Sequence, residues 1–435
     1  MPLGTVAIVG APSVGKSTIF NRIVGERAAI VSEIPGTTRD RLYSKASWLT
    51  KEFTVIDTGG LQIKDAPFQE EIRAQVDLAL IESDLIVFVV DGKVGLSGND
   101  RYIAKLLYKT NRPIILAVNK VDNINEISSI GDFYRLGFGD PIATSGAHGI
   151  GIGDLLDRII ALLPEREEID YGNAITFSLI GRPNVGKSSI TNYILGEYRQ
   201  IVSSISGTTR DSIDTPFTYD DKNFVVIDTA GLVKRGKIYE AIDKYSALRA
   251  LKAIERSEIA LFVIDGSTGM IAQDAHVVGY AVEAKKAVVV LVNKWDVEKH
   301  GVDDQRKFLD LLRANFKFLE YAPVIFVSAK TGKNMEKVLP TIMNVHDAYN
   351  RRIPTSILNK IILDAQEMNP TPEFNHGRLK IVYASQVNVE PPTFVLFCNN
   401  PAFAHFSYTR YLENRLRESF DFEGTPLNII YRMRK

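Results

Sequence analysis

Two short runs carry the most specific chemistry in this sequence. GAPSVGKS at 10–17 and GRPNVGKS at 181–188 both match G-x-x-x-x-G-K-S. Gly10, Gly15, Gly181 and Gly186 allow the backbone to turn its N–H groups inward around phosphate oxygens. Ala11, Pro12, Ser13 and Val14 span the first loop, and Arg182, Pro183, Asn184 and Val185 the second. Lys16 and Lys187 then reach the β- and γ-phosphates, while Ser17 and Ser188 offer a hydroxyl to Mg²⁺. Each run follows an apolar stretch and opens a helical pattern, so the positive end of a helix dipole faces the same anion.

A phosphate cradle does not say which base is bound. That information sits in NKVD at 119–122 and NKWD at 293–296, each closing an apolar stretch. Asp122 and Asp296 can accept from both the N1–H and the 2-amino group of guanine. Adenine has no such donor edge and would leave a carboxylate unpaired. Asn119 and Asn293 are expected to tie this loop to the base and the P-loop, with the Lys120 and Lys294 stems over the ring. Ser145-Gly146-Ala147 and Ser328-Ala329-Lys330 resemble the loop whose backbone N–H meets guanine O6, the first departing from the usual serine–alanine pair.

Asp57-Thr58-Gly59-Gly60 and Asp228-Thr229-Ala230-Gly231 match D-x-x-G. Asp57 and Asp228 would hold a Mg²⁺-bound water, and the Gly60 and Gly231 N–H groups would sense the γ-phosphate. Thr38 and Thr209, in polar stretches between P-loop and DxxG, are the candidate metal-ligating threonines. Lys16, Thr38, Gly60, Lys187, Thr209 and Gly231 thus form the expected catalytic set. Leu61 and Leu232 follow DxxG where a glutamine would orient water, so a low intrinsic rate of hydrolysis is expected.

These motifs recur in order. The pairs beginning at Thr5 and Thr176, Pro35 and Ser206, and Phe53 and Phe224 are each offset by 171, and those at Ile115 and Val289 by 174. A constant offset means a duplicated domain. Within each copy, short apolar runs alternate with helical stretches, which implies a mainly parallel sheet covered on both faces. Ligands bind beyond the carboxyl ends of such strands, and the motifs fall there. The expected class is α/β. It has GTPase domains at 1–163 and 174–349, an acidic linker at 164–173, and a small α+β domain at 350–435. In that last segment Ser356–Met368 and Tyr408–Phe420 read as helices. Arg378–Val387, Thr393–Asn399 and Leu427–Arg432 read as strands, an αββαβ order.

Composition narrows the class. Lysine plus arginine equals aspartate plus glutamate, at 52 each, so bulk charge does not point to nucleic acid. The single cysteine, Cys398, cannot form an internal disulfide, which fits a reducing cytoplasm. The start of the chain does not read as a signal peptide, and no apolar run is long enough to span a bilayer. A cytoplasmic protein is expected.

Two domains with P-loop, GTTRD, DTxG and NKxD, then a small αββαβ unit, resemble the Der (EngA) family of bacterial GTPases. DTAGL–KRGK at 228–237 and HGIGIGDLL at 148–156 add to the likeness. The resemblance covers nearly the whole chain. It implies Mg²⁺-dependent cycling between GTP and GDP, a C-terminal KH-like domain, and a role in large-subunit maturation through ribosomal particles and their RNA. A monomer is expected. Asn184 looks like the asparagine that helps bind K⁺ beside the phosphates in several such GTPases; the first copy has Ser13 there. The 350–435 segment has no GXXG, since its only glycines are Gly377 and Gly424. Arg410, Arg415, Arg417, Arg432 and Arg434 in it read either as RNA contacts or as core packing and a solvated helix face. Two other readings stay open: a GTPase of tRNA modification or membrane cargo, and a chain whose first domain senses nucleotide without hydrolysing it.

Overall fold

The computed structural model describes residues 3–25, 43–58, 72–73, 75–77, 79–80, 83–165, 171–198, 214–228, 243–296 and 302–434; within these, side chains are not described at 43, 124–129, 198, 243–249 and 302. The chain divides into two compact units, Met1–Ile169 and Asp170–Lys435.

In the first unit the elements run β1 (Thr5–Gly10), α1 (Lys16–Val24), β2 (Tyr43–Trp48), β3 (Lys51–Asp57), β4 (Leu85–Asp91), α2 (Gly98–Leu107), β5 (Ile114–Asn119), β6 (Ile142–Ala143) and α3 (Ile152–Leu162). The sheet order is β2-β3-β1-β4-β5-β6. All pairings are parallel except β2 with β3. β1 and β4 are buried throughout, which is why they read as unbroken apolar runs. β2 was not legible: YSKASW is an edge strand with little apolar pattern, and its pairing with β3 makes it a strand. Pro164 and Glu165 belong to this unit. Pro164 C=O accepts from the Gly4 N–H at 3.0 Å, and Lys51 pairs with Glu165 at 2.7 Å.

The second unit repeats the plan with β7 (Ile175–Ile180), α4 (Lys187–Tyr198), β8 (Thr215–Tyr219), β9 (Lys222–Ile227), α5 (Asp243–Arg256), β10 (Ile259–Asp265), α6 (Ala272–Glu283), β11 (Ala287–Asn293), α7 (Val302–Asn315), β12 (Val324–Phe326) and α8 (Val338–Tyr349). Its sheet order, β8-β9-β7-β10-β11-β12, is that of the first unit. Alternate residues of the central strands feed two cores. Phe177, Leu261 and Leu291 pack with Ile190 of α4 and Ile342 of α8. Phe262, Val290 and Val292 pack with Ile254, Val278 and Leu312 of α5, α6 and α7. Both faces of the sheet are therefore covered, as strand–helix alternation requires.

The unit continues with α9 (Thr355–Met368), β13 (Glu373–Phe374), β14 (Gly377–Arg378), β15 (Ile381–Asn388), β16 (Thr393–Cys398), α10 (Phe406–Ser419) and β17 (Asn428–Met433). The αββαβ order is present, with one difference. The run from Arg378 is not one strand: Arg378 closes a two-residue hairpin with β13, and β15 starts at Ile381 with register shifts. Leu358, Leu396, Leu412 and Phe422 form this subdomain's own core. It is joined to the second sheet through backbone. Val288 N–H donates to Gly424 C=O, and Gly424 N–H to Tyr321 C=O, both at 2.8 Å. Arg417 lies 4.7 Å from the centre of the Tyr321 ring.

His346 of α8 sits 3.5 Å from Glu258, half-buried. Burial works to lower the His346 pKa, but the Glu258 hydrogen bond and charge, with Asp347 and Glu390, outweigh it and raise it. Burial works to raise Glu258, but His346 and the Thr176 N–H outweigh it and lower it. A raised histidine gives stability that is full below its ordinary value and lost as pH rises through its folded value. A depressed carboxylate gives stability present above its ordinary value and lost as pH falls through its folded value. The pair therefore stabilises between those limits. His346→Gln is expected to flatten the loss of stability as pH rises above about 6.5, read from denaturant midpoints across pH; an unchanged slope would exclude His346 as its source.

Candidate functional site

Both P-loops leave the carboxyl end of the first strand of their sheet and enter a helix at the lysine. In the first, Gly15 caps α1 with φ 92°; Gly186 in the second has φ 100°. A Cβ on Gly15 would lie 2.3 Å from Asn119 Nδ2, and one on Gly186 2.1 Å from Asn293 Nδ2. Left-handed backbone and close approach of an asparagine together require glycine here. Lys16 Nζ donates to Gly10 C=O and Ala11 C=O, both at 2.8 Å. Lys187 Nζ donates to Gly181 C=O at 2.6 Å and Arg182 C=O at 2.8 Å. Each ammonium is thus held at the loop's opening. Ser17 and Ser188 are the second residues of α1 and α4.

The asparagines act as clamps. Asn119 Nδ2 donates to Val14 C=O at 2.8 Å, while its Oδ1 accepts from the Gly146 N–H at 2.9 Å. Asn293 repeats both bonds, to Val185 C=O at 2.9 Å and from the Ala329 N–H at 3.1 Å. Both asparagines are 2% exposed, so each bond replaces water that could not reach the group. The clamp brings the P-loop, the NKxD loop and the Ser-Gly-Ala or Ser-Ala-Lys loop to one place in each unit. The two serine loops have matching backbone bonds: Ser145 N–H to Ile150 C=O and Gly149 N–H to Ser145 C=O in one, Ser328 N–H to Lys333 C=O and Gly332 N–H to Ser328 C=O in the other. The unusual Gly146 has a packing reason. A Cβ there would meet the Thr18 methyl and Ile19 at 3.2 Å, and the second copy has Ser189, without a methyl, in place of Thr18. Arg22 adds bonds to Gly146 C=O and Ala147 C=O, at 3.1 and 2.6 Å.

Asp122 is the one guanine-reading candidate with described side-chain partners. Ser145 Oγ donates to its Oδ1 at 2.7 Å and Lys93 Nζ to its Oδ2 at 2.6 Å. The Lys93 ammonium, then the Ser145 hydroxyl, hold its carboxyl below the usual range, so it is an ionised acceptor at neutral pH. His148 Nε2 lies 3.9 Å from its Oδ1. Position 267, the counterpart of Lys93, is a serine that bonds instead to Asp265. Asp296 follows Trp295, whose ring is buried.

Two aspartates were missed in the sequence. Asp91 and Asp265 end β4 and β10, and each pairs at 2.6 Å with the NKxD lysine, Lys120 or Lys294. Burial works to raise both carboxyls, but the lysines and nearby backbone N–H groups outweigh it and lower them. The lysines have left-handed backbone, φ 66° and 63°. The signal was available: VVDG at 89–92 and VIDG at 263–266 share the 174 offset of NKxD. The Arg182 guanidinium bonds to Gly269 C=O at 2.9 Å and pairs with buried Asp274 at 3.4 Å, while its carbonyl accepts from Lys187.

Asp57 ends β3, 6% exposed, and the Thr58 hydroxyl donates to Ile8 C=O at 2.6 Å. Asp228 follows β9 with φ 60°. Thr38, Gly59, Gly60, Leu61, Thr209, Thr229, Ala230, Gly231 and Leu232 lie outside the described residues. Among the described residues no three acidic, histidine or cysteine side chains group to hold a metal. The described residues expected at the metal, Ser17 with Asp57 and Ser188 with Asp228, offer oxygen donors, which suit Mg²⁺. Among the described residues no helix is long and apolar enough to cross a membrane.

A family profile described as "50S ribosome-binding GTPase" matches residues 5–120 and again 176–294. A second, "KH-domain-like of EngA bacterial GTPase enzymes, C-terminal", matches 352–432. The chain is 55% identical over 435 residues to GTPase Der of Bacillus cytotoxicus, covering 100% of both chains. The same identity and coverage hold for GTPase Der of Bacillus thuringiensis.

Proposed function

This chain belongs to the Der (EngA) family of GTPases, and from that premise we propose that it is a GTP-driven switch acting in large ribosomal subunit biogenesis. It binds GTP and GDP and hydrolyses GTP to GDP and phosphate. The observation that supports two working sites is the duplicated asparagine clamp, which brings three motifs together in each unit with the same bonds. The site roles belong to this proposal. The P-loops, with Lys16 and Lys187, cradle the phosphates. Asp122 and Asp296 read guanine, and the Ser145-Gly146-Ala147 and Ser328-Ala329-Lys330 loops offer a backbone N–H to its O6. Ser17, Thr38 and Asp57, or Ser188, Thr209 and Asp228, would hold Mg²⁺ directly or through water; bound there, it would neutralise charge developing on the phosphates. In sequence Leu61 and Leu232 stand after DxxG, where a glutamine would orient water, so turnover is expected to be slow until a partner binds.

The ribosomal role is supported by the family, whose profile is described as 50S ribosome-binding. It predicts nucleotide-dependent co-sedimentation. In cell extract, the protein should run with large-subunit particles in a non-hydrolysable GTP analogue and leave them in GDP. Equal distribution in both nucleotides would refute the switch.

A K⁺ ion beside the phosphates would supply positive charge that no described side chain provides after DxxG. Ser13 and Asn184 share left-handed backbone, φ 64° and 66°, so the two loops present these side chains from like conformations and differ in reach. We expect the second domain, isolated by Lys16→Ala, to hydrolyse GTP faster in KCl than in NaCl at equal ionic strength. The first, isolated by Lys187→Ala, should respond less. Equal stimulation of both would show that the asparagine is not the discriminating ligand.

A further inference from the structure

Asp214 draws together chain segments that flank the second domain's phosphate-facing loops. Its carboxylate is 3% exposed. Its Oδ1 accepts the Asp228 backbone N–H at 3.0 Å. Its Oδ2 accepts the Tyr171 hydroxyl and a bond from Arg256, and Arg256 also reaches the Tyr171 oxygen at 2.7 Å. Tyr171 lies just before β7, Arg256 ends α5, and Asp214 immediately precedes β8. Burial, then the Asp214 bond, push the Tyr171 hydroxyl up to about 12, so it remains a donor at neutral pH.

The first domain's sequence does not repeat Asp214 and Arg256. At the 171 offset Tyr43 stands for Asp214, and at the 174 offset Glu82 stands for Arg256. The two DxxG aspartates differ accordingly. Asp57 is still part of β3, whereas β9 ends at Ile227 and Asp228 has turned to φ 60°. That conformation is uncommon outside glycine and persists where a neighbour holds it.

We propose that Asp214, itself fixed by Tyr171 and Arg256, is a positioning residue that holds Asp228 out of strand geometry and so sets the magnesium affinity of the second domain alone. The proposal rests on the reading of Asp228 as a magnesium-site residue. An outer partner that orients a metal-site group is worth about 10–100-fold in metal affinity.

The test uses the full chain with Lys16→Ala, and reads the Mg²⁺ concentration that half-maximally slows release of a fluorescent GDP analogue. Mg²⁺-free affinity for the same analogue is measured beside it. Asp214→Ala is one variant. Asp214→Leu with Arg256→Met is the second, since removing both charges avoids leaving the Arg256 guanidinium without its carboxylate partner. Asp228→Asn is the reference. The expected result is a rise of about tenfold in the Mg²⁺ midpoint for both Asp214 variants, with Mg²⁺-free affinity unchanged. If Asp228→Asn shifts the midpoint and neither Asp214 variant does, the inference is overturned and the metal reading survives. If Mg²⁺-free affinity falls as far as the midpoint shifts, Asp214 is only a structural residue and the inference is again overturned. If Asp228→Asn itself shifts nothing, the metal reading fails and takes the inference with it.

Discussion

Lys187→Ala is expected to silence GTP hydrolysis by the second domain, and Lys16→Ala that by the first. The ammonium is preorganised: it bonds to two loop carbonyls at the helix start in each unit. A fixed positive donor stabilises charge developing on the phosphates without reorganising at the moment of reaction. Losing one such donor costs about 10²–10³-fold in rate, about 3–4 kcal/mol. Each single variant should keep the turnover of the untouched domain. The double variant should lose nearly all phosphate release, measured at saturating GTP. Parent-rate turnover in the double variant would mean that the reaction occurs elsewhere in the chain.

Asp296→Asn is expected to exchange guanine for xanthine in the second domain. A carboxylate accepts from N1–H and the 2-amino group together; an amide offers one acceptor and one donor. The amide donor faces the 2-amino group of guanine, whereas xanthine presents a carbonyl there. The 2-amino group and the amide N–H that faces it are both left poorly paired, which costs about 2–6 kcal/mol, about 30-fold or more in affinity. GTP affinity should fall and xanthosine triphosphate affinity rise, by competition binding with Lys16→Ala silencing the first domain. Unchanged GTP affinity with no gain for the xanthine nucleotide would sink the assignment. The second domain is the cleaner place for this test. In the first, Asp122 also holds Lys93 and Ser145, so Asp122→Asn would break an ion pair within the protein as well as a ligand contact.

The two serine loops differ in residues but not in backbone bonding. Ser145-Gly146-Ala147 departs from the usual serine–alanine pair. Its backbone bonds and its asparagine partner equal those of Ser328-Ala329-Lys330. The glycine answers to Thr18 on α1, more than a hundred residues earlier in the chain.

By itself the sequence determined the duplication, the strand–helix alternation and the four motifs of each copy. These depend on local backbone geometry and on burial of whole strands, and both leave marks over a few residues: glycine where φ must be positive, unbroken apolar runs where both faces are covered. Tertiary structure decided what depends on distant partners. Asn119 meets Val14 and Asn293 meets Val185 across 105 and 108 residues. Asp91 and Asp265 gain their meaning only beside Lys120 and Lys294. β2 becomes a strand because β3 offers it unpaired backbone, and the run from Arg378 breaks because its start pairs with β13 rather than β16. Asp214 shows the limit most clearly. It looks like one more polar residue before a strand, and only the fold sets its carboxylate against the Asp228 N–H, Tyr171 and Arg256. A hydrogen bond carries no local periodicity, so its partner becomes known only when the chain brings it within 3 Å or so.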